Sequence, residues 1–238
     1  MTTEQGGIVA LVGSGEFLET TLPVDRYLVE QMQQRQLTPR VAILPTASAP
    51  DGGDVPQNWA KMGVEHFARL GLAAEPVMLL TRQDADNPAI VAQLAATNFV
   101  YFSGGKPRYL METLQKSAAW QTILDMFRQG GVVAGCSAGA MVLGGAFFDF
   151  PQIWSTKPAL GLVPGIVVIP HFDEMPKLIT STIGGGKREG VVVGIEGGTA
   201  LVVSHEHWIV QGKGGVTVFN GKRRQRYQAG ETILMKRI

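Results

Sequence analysis

The 238-residue chain carries 21 Lys and Arg against 20 Asp and Glu, so its formal net charge of +1 at pH 7 gives no reason to expect nucleic acid or a membrane surface as partner. Hydrophobic residues make up 45% of it, which excludes intrinsic disorder, and a single cysteine, Cys136, excludes an intramolecular disulfide framework. The N-terminus lacks the basic and apolar regions of a signal peptide and no apolar run spans a membrane, so a cytoplasmic protein folded as one domain over residues 1–238 is expected.

The first two thirds alternate short apolar runs with amphipathic ones. Residues 8–12 read as a strand and 23–36 as a helix, with Tyr27, Leu28 and Met32 on one face. A second strand, 41–44, ends at Pro45, and 59–70 is helical, with Met62, Phe67 and Leu70 inward and Gly71 as its stop. Strands at 76–80 and 99–102 flank a helix at 88–96. Helices at 108–114 and 120–129 then lead to the apolar run 132–134. Continuously apolar strands between helices predict a mostly parallel, buried α/β sheet. The last third changes to strands at 166–169, 191–195, 200–203, 208–211, 216–219 and 232–235. Gly212-Lys213-Gly214-Gly215 and Asn220-Gly221 are hairpin signals between them. An antiparallel extension on one edge of the sheet is expected, and its exposed edges are compatible with a homodimer.

Residues 131–140, Gly-Val-Val-Ala-Gly-Cys-Ser-Ala-Gly-Ala, hold the strongest chemical signal. An apolar strand runs into Gly135-x-Ser137-x-Gly139, the form of a nucleophile elbow that pushes one hydroxyl out of a sheet. The competing reading is a buried strand end whose serine only caps the next helix. A nucleophilic serine needs a base and a group to orient it. Of four histidines, His171 closely follows a strand. His66 falls within an amphipathic helix, and His205 and His207 flank Glu206 with no further ligands to complete a metal site. His171 is therefore the expected base. Asp149, among Phe147, Phe148 and Phe150, is the first choice of orienting acid and Glu196 the second; Asp173 is too near His171 in sequence to orient its ring easily.

Two backbone donors are needed for the developing oxyanion. The N–H of Ala138 is the first candidate, and the Ser103-Gly104-Gly105 turn, backbone without side chains just past a strand, supplies the second. Glu16, Gly104 and Lys106 stand at the same rim as candidate substrate contacts, with helix capping the competing role for Glu16. Gly13-Ser14-Gly15 begins like a dinucleotide loop, but Leu18 holds the third glycine's place, so no such cofactor is expected. Lys222, Arg223, Arg224 and Arg226 read as a solvated basic hairpin, and Cys136 as a core residue. No organic cofactor and no metal is expected.

Taken in order, Phe102-Ser103-Gly104-Gly105, Gly135-Cys136-Ser137-Ala138-Gly139-Ala140 and His171-Phe172 resemble the dipeptidase E and cyanophycinase family of serine peptidases. Ile43-Leu44-Pro45-Thr46-Ala47-Ser48 and Gly194-Ile195-Glu196 fit the same pattern, so the resemblance covers nearly the whole chain. It implies a fold like the class I glutamine amidotransferases, flavodoxin-like, with serine at the elbow in place of cysteine. It also implies hydrolysis next to aspartate, of amino-terminal Asp-X in one branch and β-linked Asp-Arg in the other. Residue by residue it implies Ser137 as nucleophile, His171 as base, and Gly105 and Ala138 as the oxyanion hole. Lys106-Pro107 departs from the Asn or Asp, then Gln or Thr, usual after the glycine pair. Asp173-Glu174-Met175-Pro176-Lys177 lacks the arginine that follows His-Phe in the cyanophycinase branch. The expected activity is that of a serine hydrolase acting on a small Asp-containing peptide, with Lys106 able to bind its carboxylate. The alternatives are an α/β-hydrolase-type esterase using His205 or His207, and a non-catalytic binding or regulatory protein on the same fold.

Overall fold

The computed structural model describes residues 6–149, 152–176, 190–205, 207–221 and 223–233. Its centre is an eight-stranded sheet in which β1 (Ile8–Val12), β2 (Val41–Leu44), β3 (Ala74–Pro76), β4 (Phe99–Phe102) and β5 (Val132–Cys136) are parallel, with β1, β5, β4, β2 and β3 side by side in that order. Every residue of β1, β2, β4 and β5 is buried, as continuous apolar runs covered on both faces require. Helix α1 (Leu22–Gln34) contributes Leu28 and Met32 to one side of the sheet. Helices α3 (Pro88–Ala95), α4 (Pro107–Leu114) and α5 (Ala118–Arg128) contribute Leu94, Leu110 and Ile123 to the other.

Two helix and strand expectations shift. Helix α2 (Val55–Arg69) begins four residues before position 59, and its buried stripe is Pro56, Ala60, Gly63, His66 and Phe67. That register puts Met62 on the solvent face, 36% exposed, rather than inward. The strand expected over 76–80 pairs only through Ala74–Pro76, because its partner β2 ends at Leu44 and Pro45 follows.

The C-terminal strands divide between two sheets. β10 (Thr199–Val203), β11 (Trp208–Gly212) and β14 (Thr232–Ile233) extend the central sheet antiparallel from the β1 edge. A second, six-stranded sheet runs in the order β13, β12, β9, β8, β6, β7. It contains β6 (Gly144–Asp149), β7 (Gln152–Pro158), β8 (Val163–Ile169), β9 (Val191–Ile195), β12 (Gly215–Asn220) and β13 (Arg223–Gln228). Within it β6, β8 and β9 are parallel neighbours, and β9 pairs antiparallel with β12 on its other side, so 166–169 and 191–195 lie in the second sheet and not in an extension of the first. The Gly212–Gly215 run is likewise no hairpin. It carries the chain from the first sheet to the second, with Gly214 N–H on Thr199 Oγ1 and Gly215 N–H on the Glu196 carboxylate. Asn220-Gly221 does join a hairpin, β12 to β13. The arginines of β13 are exposed; Lys222, Glu206, Phe150 and Lys177 lie outside the described residues.

His66 is structural. With no solvent exposure, its Nε2 lies 2.8 Å from Oδ2 of Asp25 on α1, and the Phe17 ring lies 5.9 Å away. Burial pushes the Asp25 carboxyl up from its ordinary range, and His66 opposes that shift through a hydrogen bond and its charge. Removing one partner of such a pair strands the other in the core. His66→Ala is expected to lower stability by about 3–5 kcal/mol, read as a fall in the urea midpoint.

Candidate active site

Ligands of open α/β sheets collect beyond the carboxyl ends of the strands, and four such ends meet here: Gly13 after β1, Pro45 after β2, Ser103 after β4 and Ser137 after β5. Ser137 is bent sharply between β5 and α6 (Ala138–Leu143), at φ 50° and ψ −108°. Only the smallest residues allow that bend. A Cβ on Gly135 would stand 2.5 Å from the Gly139 carbonyl carbon, and one on Gly139 would stand 2.7 Å from the Phe102 carbonyl oxygen. The Ser137 side chain makes no hydrogen bond that caps α6. Instead Oγ lies 3.2 Å from Nε2 of His171.

His171 comes from the other sheet, just past β8. Its own backbone is left-handed, at φ 51°, and the next amide, of Phe172, donates to the Ile195 carbonyl at 3.1 Å. The site therefore forms where the carboxyl ends of the two sheets abut. His171 Nδ1 lies 3.2 Å from Oε2 of Glu174, so the tautomer that donates from Nδ1 to the carboxylate leaves Nε2 free to accept from Oγ. A tight turn brings Glu174 back, its N–H on the His171 carbonyl at 3.0 Å. Hydroxyl, imidazole and carboxylate thus stand in sequence, an arrangement able to move a proton off Oγ.

Neither sequence choice of orienting acid is on that imidazole. Asp149 ends β6, is 8% exposed, and is held by Arg108 and Lys157, which keep its carboxyl below the usual range. Glu196 takes two bonds from Arg226, at 2.7 and 2.8 Å, and is lowered by that guanidinium. Asp173 accepts from the Gly197 N–H at 2.8 Å. His205 and His207 are exposed, and His207 borders Ile8 and Tyr27 near the amino end of β1, at the opposite end of that strand from the elbow.

Ser137 and His171 open onto a cavity of about 480 Å³. Gly105 and Ala138 line it beside the hydroxyl, followed by Lys106, Pro107, Arg108, Met141, Asp149, Pro170 and Met175. Ala138 is the first residue of α6, so its N–H has no acceptor within the helix. Gly105 has φ +140°, and a Cβ there would come within 2.3 Å of the Ala47 carbonyl oxygen; only glycine fits. Lys106 Nζ rests 3.6 Å from Asp51, an exposed pairing weak enough to exchange for another carboxylate. Arg108, on the cavity wall and unflagged by the sequence, is the second cation there.

Glu16 is not among the lining residues, contrary to the expected substrate contact. It is 6% exposed, with Oε1 accepting from the Gly104 N–H at 2.7 Å and Oε2 from the Cys136 thiol at 2.9 Å. Gly104 lies between that carboxylate and Ser137, its missing Cβ 2.8 Å from the first and 3.4 Å from the Ser137 Cβ. Cys136 is fully buried, and burial together with Glu16 pushes its thiol well above the ordinary range, so it keeps its proton. Among the described residues no group of three His, Cys, Asp or Glu is placed to hold a metal ion.

Residues 9–210 match the model of peptidase family S51. The chain belongs to that family. As an S51 peptidase it is a serine-type peptidase with a peptide substrate. It is 30% identical over 172 residues to the uncharacterized peptidase YgaJ of Bacillus subtilis (strain 168), covering 70% of this chain and 68% of that one. It is 26% identical over 151 residues to the uncharacterized peptidase Lmo0363 of Listeria monocytogenes, covering 60% and 71%. The crystal structure of a peptidase from an acI-B1 Actinobacterium superposes with a TM-score of 0.88 at 33% identity, over 98% of both chains. A Listeria monocytogenes EGD-e structure assigned as a peptidase E shares the fold, with a TM-score of 0.62 at 20% identity over 87% and 98%. The α/β fold expected for this S51 member from its sequence, parallel at the centre and antiparallel toward the C-terminus, is the one observed. No described helix is long and apolar enough to cross a membrane.

Proposed function

We propose that the chain hydrolyses a peptide bond in a small, Asp-containing peptide through an acyl-enzyme on Ser137. One observation carries the reading: Ser137 Oγ, 3.2 Å from His171 Nε2, opens into a cavity whose wall bears Lys106 and Arg108 against one carboxylate, Asp149. An acidic side chain or terminus of the substrate meets a net positive wall there.

His171 Nε2 takes the Oγ proton as Oγ adds to the carbonyl carbon. The N–H groups of Gly105 and Ala138 receive the charge that forms on the carbonyl oxygen. Glu174 keeps the imidazolium oriented through Nδ1. Collapse of the tetrahedral adduct breaks the C–N bond, with His171 returning the proton to the leaving amine. Water, deprotonated by the same nitrogen, then releases the acid. The placement of His205 and His207 away from the elbow favours this route over an esterase that uses either as base.

The test is a panel of Asp-X dipeptides, β-Asp-Arg, neutral dipeptides and simple esters. Turnover of Asp-containing members is expected to exceed that of neutral ones, and Lys106→Ala is expected to raise KM for acidic substrates about tenfold with kcat little changed. An equal KM effect on neutral peptides removes the assigned role of Lys106, and esters as the only substrates turned over would sink the peptidase reading.

A further inference from the structure

We propose that Glu16 is a positioning residue for catalysis: its buried carboxylate holds the Gly104 amide so that the neighbouring Gly105 N–H stays aimed at the carbonyl attacked by Ser137. The inference rests on the assignment of Gly105 as an oxyanion donor above and deepens it.

Three successive amides carry the geometry. The Gly104 N–H is tied to Glu16 Oε1 at 2.7 Å, and the Lys106 N–H is tied to the Ala47 carbonyl at 2.7 Å. The middle residue, Gly105, lines the cavity between these two anchors. Two glycines in sequence have no side chains to restrict rotation of the peptide between them, so the anchors must do so. Ala47 holds the chain on one side and Glu16 holds it on the other.

The placement of Glu16 is itself enforced. Gly15 before it stands at φ +83° and Phe17 after it at φ +63°, an uncommon conformation for a bulky residue. That turn is retained because Phe17 is buried against Tyr101, with ring centroids 5.0 Å apart, and because Thr21 Oγ1 donates to the Gly15 carbonyl at 3.1 Å. Left-handed backbone at a non-glycine residue concentrates at functional sites, where the surroundings over-determine it. The carboxylate is also a poor choice for packing alone, since burying it demands that both oxygens be satisfied. Here one is satisfied by the Cys136 thiol, which serves as a proton-bearing donor, and the other by the loop. A carboxylate this near the reacting carbonyl opposes negative charge on the oxyanion. Its benefit must therefore come from length and direction, and charge is dispensable.

Two variants separate length from charge. Glu16→Gln keeps an acceptor oxygen at the same reach and loses the charge. Glu16→Asp keeps the charge and withdraws the acceptor by one methylene. With a turned-over member of the dipeptide panel and active sites titrated by a fluorophosphonate, Glu16→Gln is expected to stay within fivefold of the wild-type kcat. Glu16→Asp is expected to fall at least tenfold, with KM within threefold of wild type in both; loss of a whole oxyanion donor costs about 10²–10³ in kcat. Affinity for the aldehyde analogue of the same peptide should fall in parallel with kcat/KM in Glu16→Asp. Equal kcat values for the two variants, Asp above Gln, or a change confined to KM each overturn the inference. Ser137→Ala run alongside keeps the two readings apart: if it retains turnover, the serine mechanism itself falls, whatever Glu16 does.

Discussion

Ser137→Ala is expected to lower kcat by at least about 10⁴-fold while leaving the fold and substrate binding in place. The size follows from the way nucleophile and base act as one unit, so that losing either costs nearly as much as losing both, and what remains comes from oriented donors and binding. Preservation of the fold follows from local geometry. The bend at Ser137 depends on Gly135 and Gly139 as close neighbours, not on the hydroxyl, and alanine places the same Cβ at φ 50°. The hydroxyl caps no helix N–H, so its loss orphans no backbone group. Thermal unfolding should therefore shift by no more than about 2 °C, within what a surface-sized change of about 0.5 kcal/mol produces. A mutant that binds the peptide with unchanged affinity and does not cleave it places the loss in the chemical step. Residual turnover above a hundredth of wild type would instead mean that another group attacks the carbonyl.

Much of this site is legible in the sequence because its constraints are local and steric. Gly135, Gly139 and Gly105 occupy places where any Cβ would meet backbone at 2.7 Å or less, so the glycine spacing reports the elbow and the turn beside it directly. His171 is legible by position, shortly after the apolar run 166–169. What the sequence hides depends on distant pairing. Phe147, Phe148 and Asp149 fall in no strand expected from the sequence, because the pairing that makes β6 comes from β8 and β7, strands whose place in a second sheet no local pattern encodes. Gly212–Gly215 has hairpin chemistry, yet turn residues state where the chain turns and not which strand it meets next. Glu16 reads as a rim residue because it stands in the short Gly13-Ser14-Gly15-Glu16 segment past a strand end; only the positive φ angles on either side, invisible in the sequence, turn it inward.

The orienting acid is the sharpest case. Asp173 lies two residues from His171 and is dismissed on proximity, and Glu174 carries no signal of its own in the sequence. One more residue and one more methylene change the outcome. The turn closed by the Glu174 N–H on the His171 carbonyl carries the longer side chain back to Nδ1 at 3.2 Å, while Asp173 points to Gly197. Glu174→Gln is therefore expected to lower kcat by about 10²–10³-fold. It leaves an amide that can present its N–H to Nδ1 and favour the wrong tautomer. The loss should stop short of the roughly 10⁴ known for a fully buried acid, because the Glu174 side chain is 64% exposed and water shares its work.

Asp149→Asn, by contrast, should leave kcat within threefold. Its carboxylate serves Arg108 and Lys157, and neutralising it frees two cations beside the cavity. The effect expected is a lower KM for acidic peptides, with neutral ones unchanged. Measured together on the same substrate, the two variants assign the acid by which parameter each one moves. A kcat loss of equal size in Asp149→Asn, with Glu174→Gln near wild type, would require Asp149 to leave both cations and reach Nδ1 when substrate binds. The substrate's own carboxylate, taking its place on Arg108, would then be what sets it free.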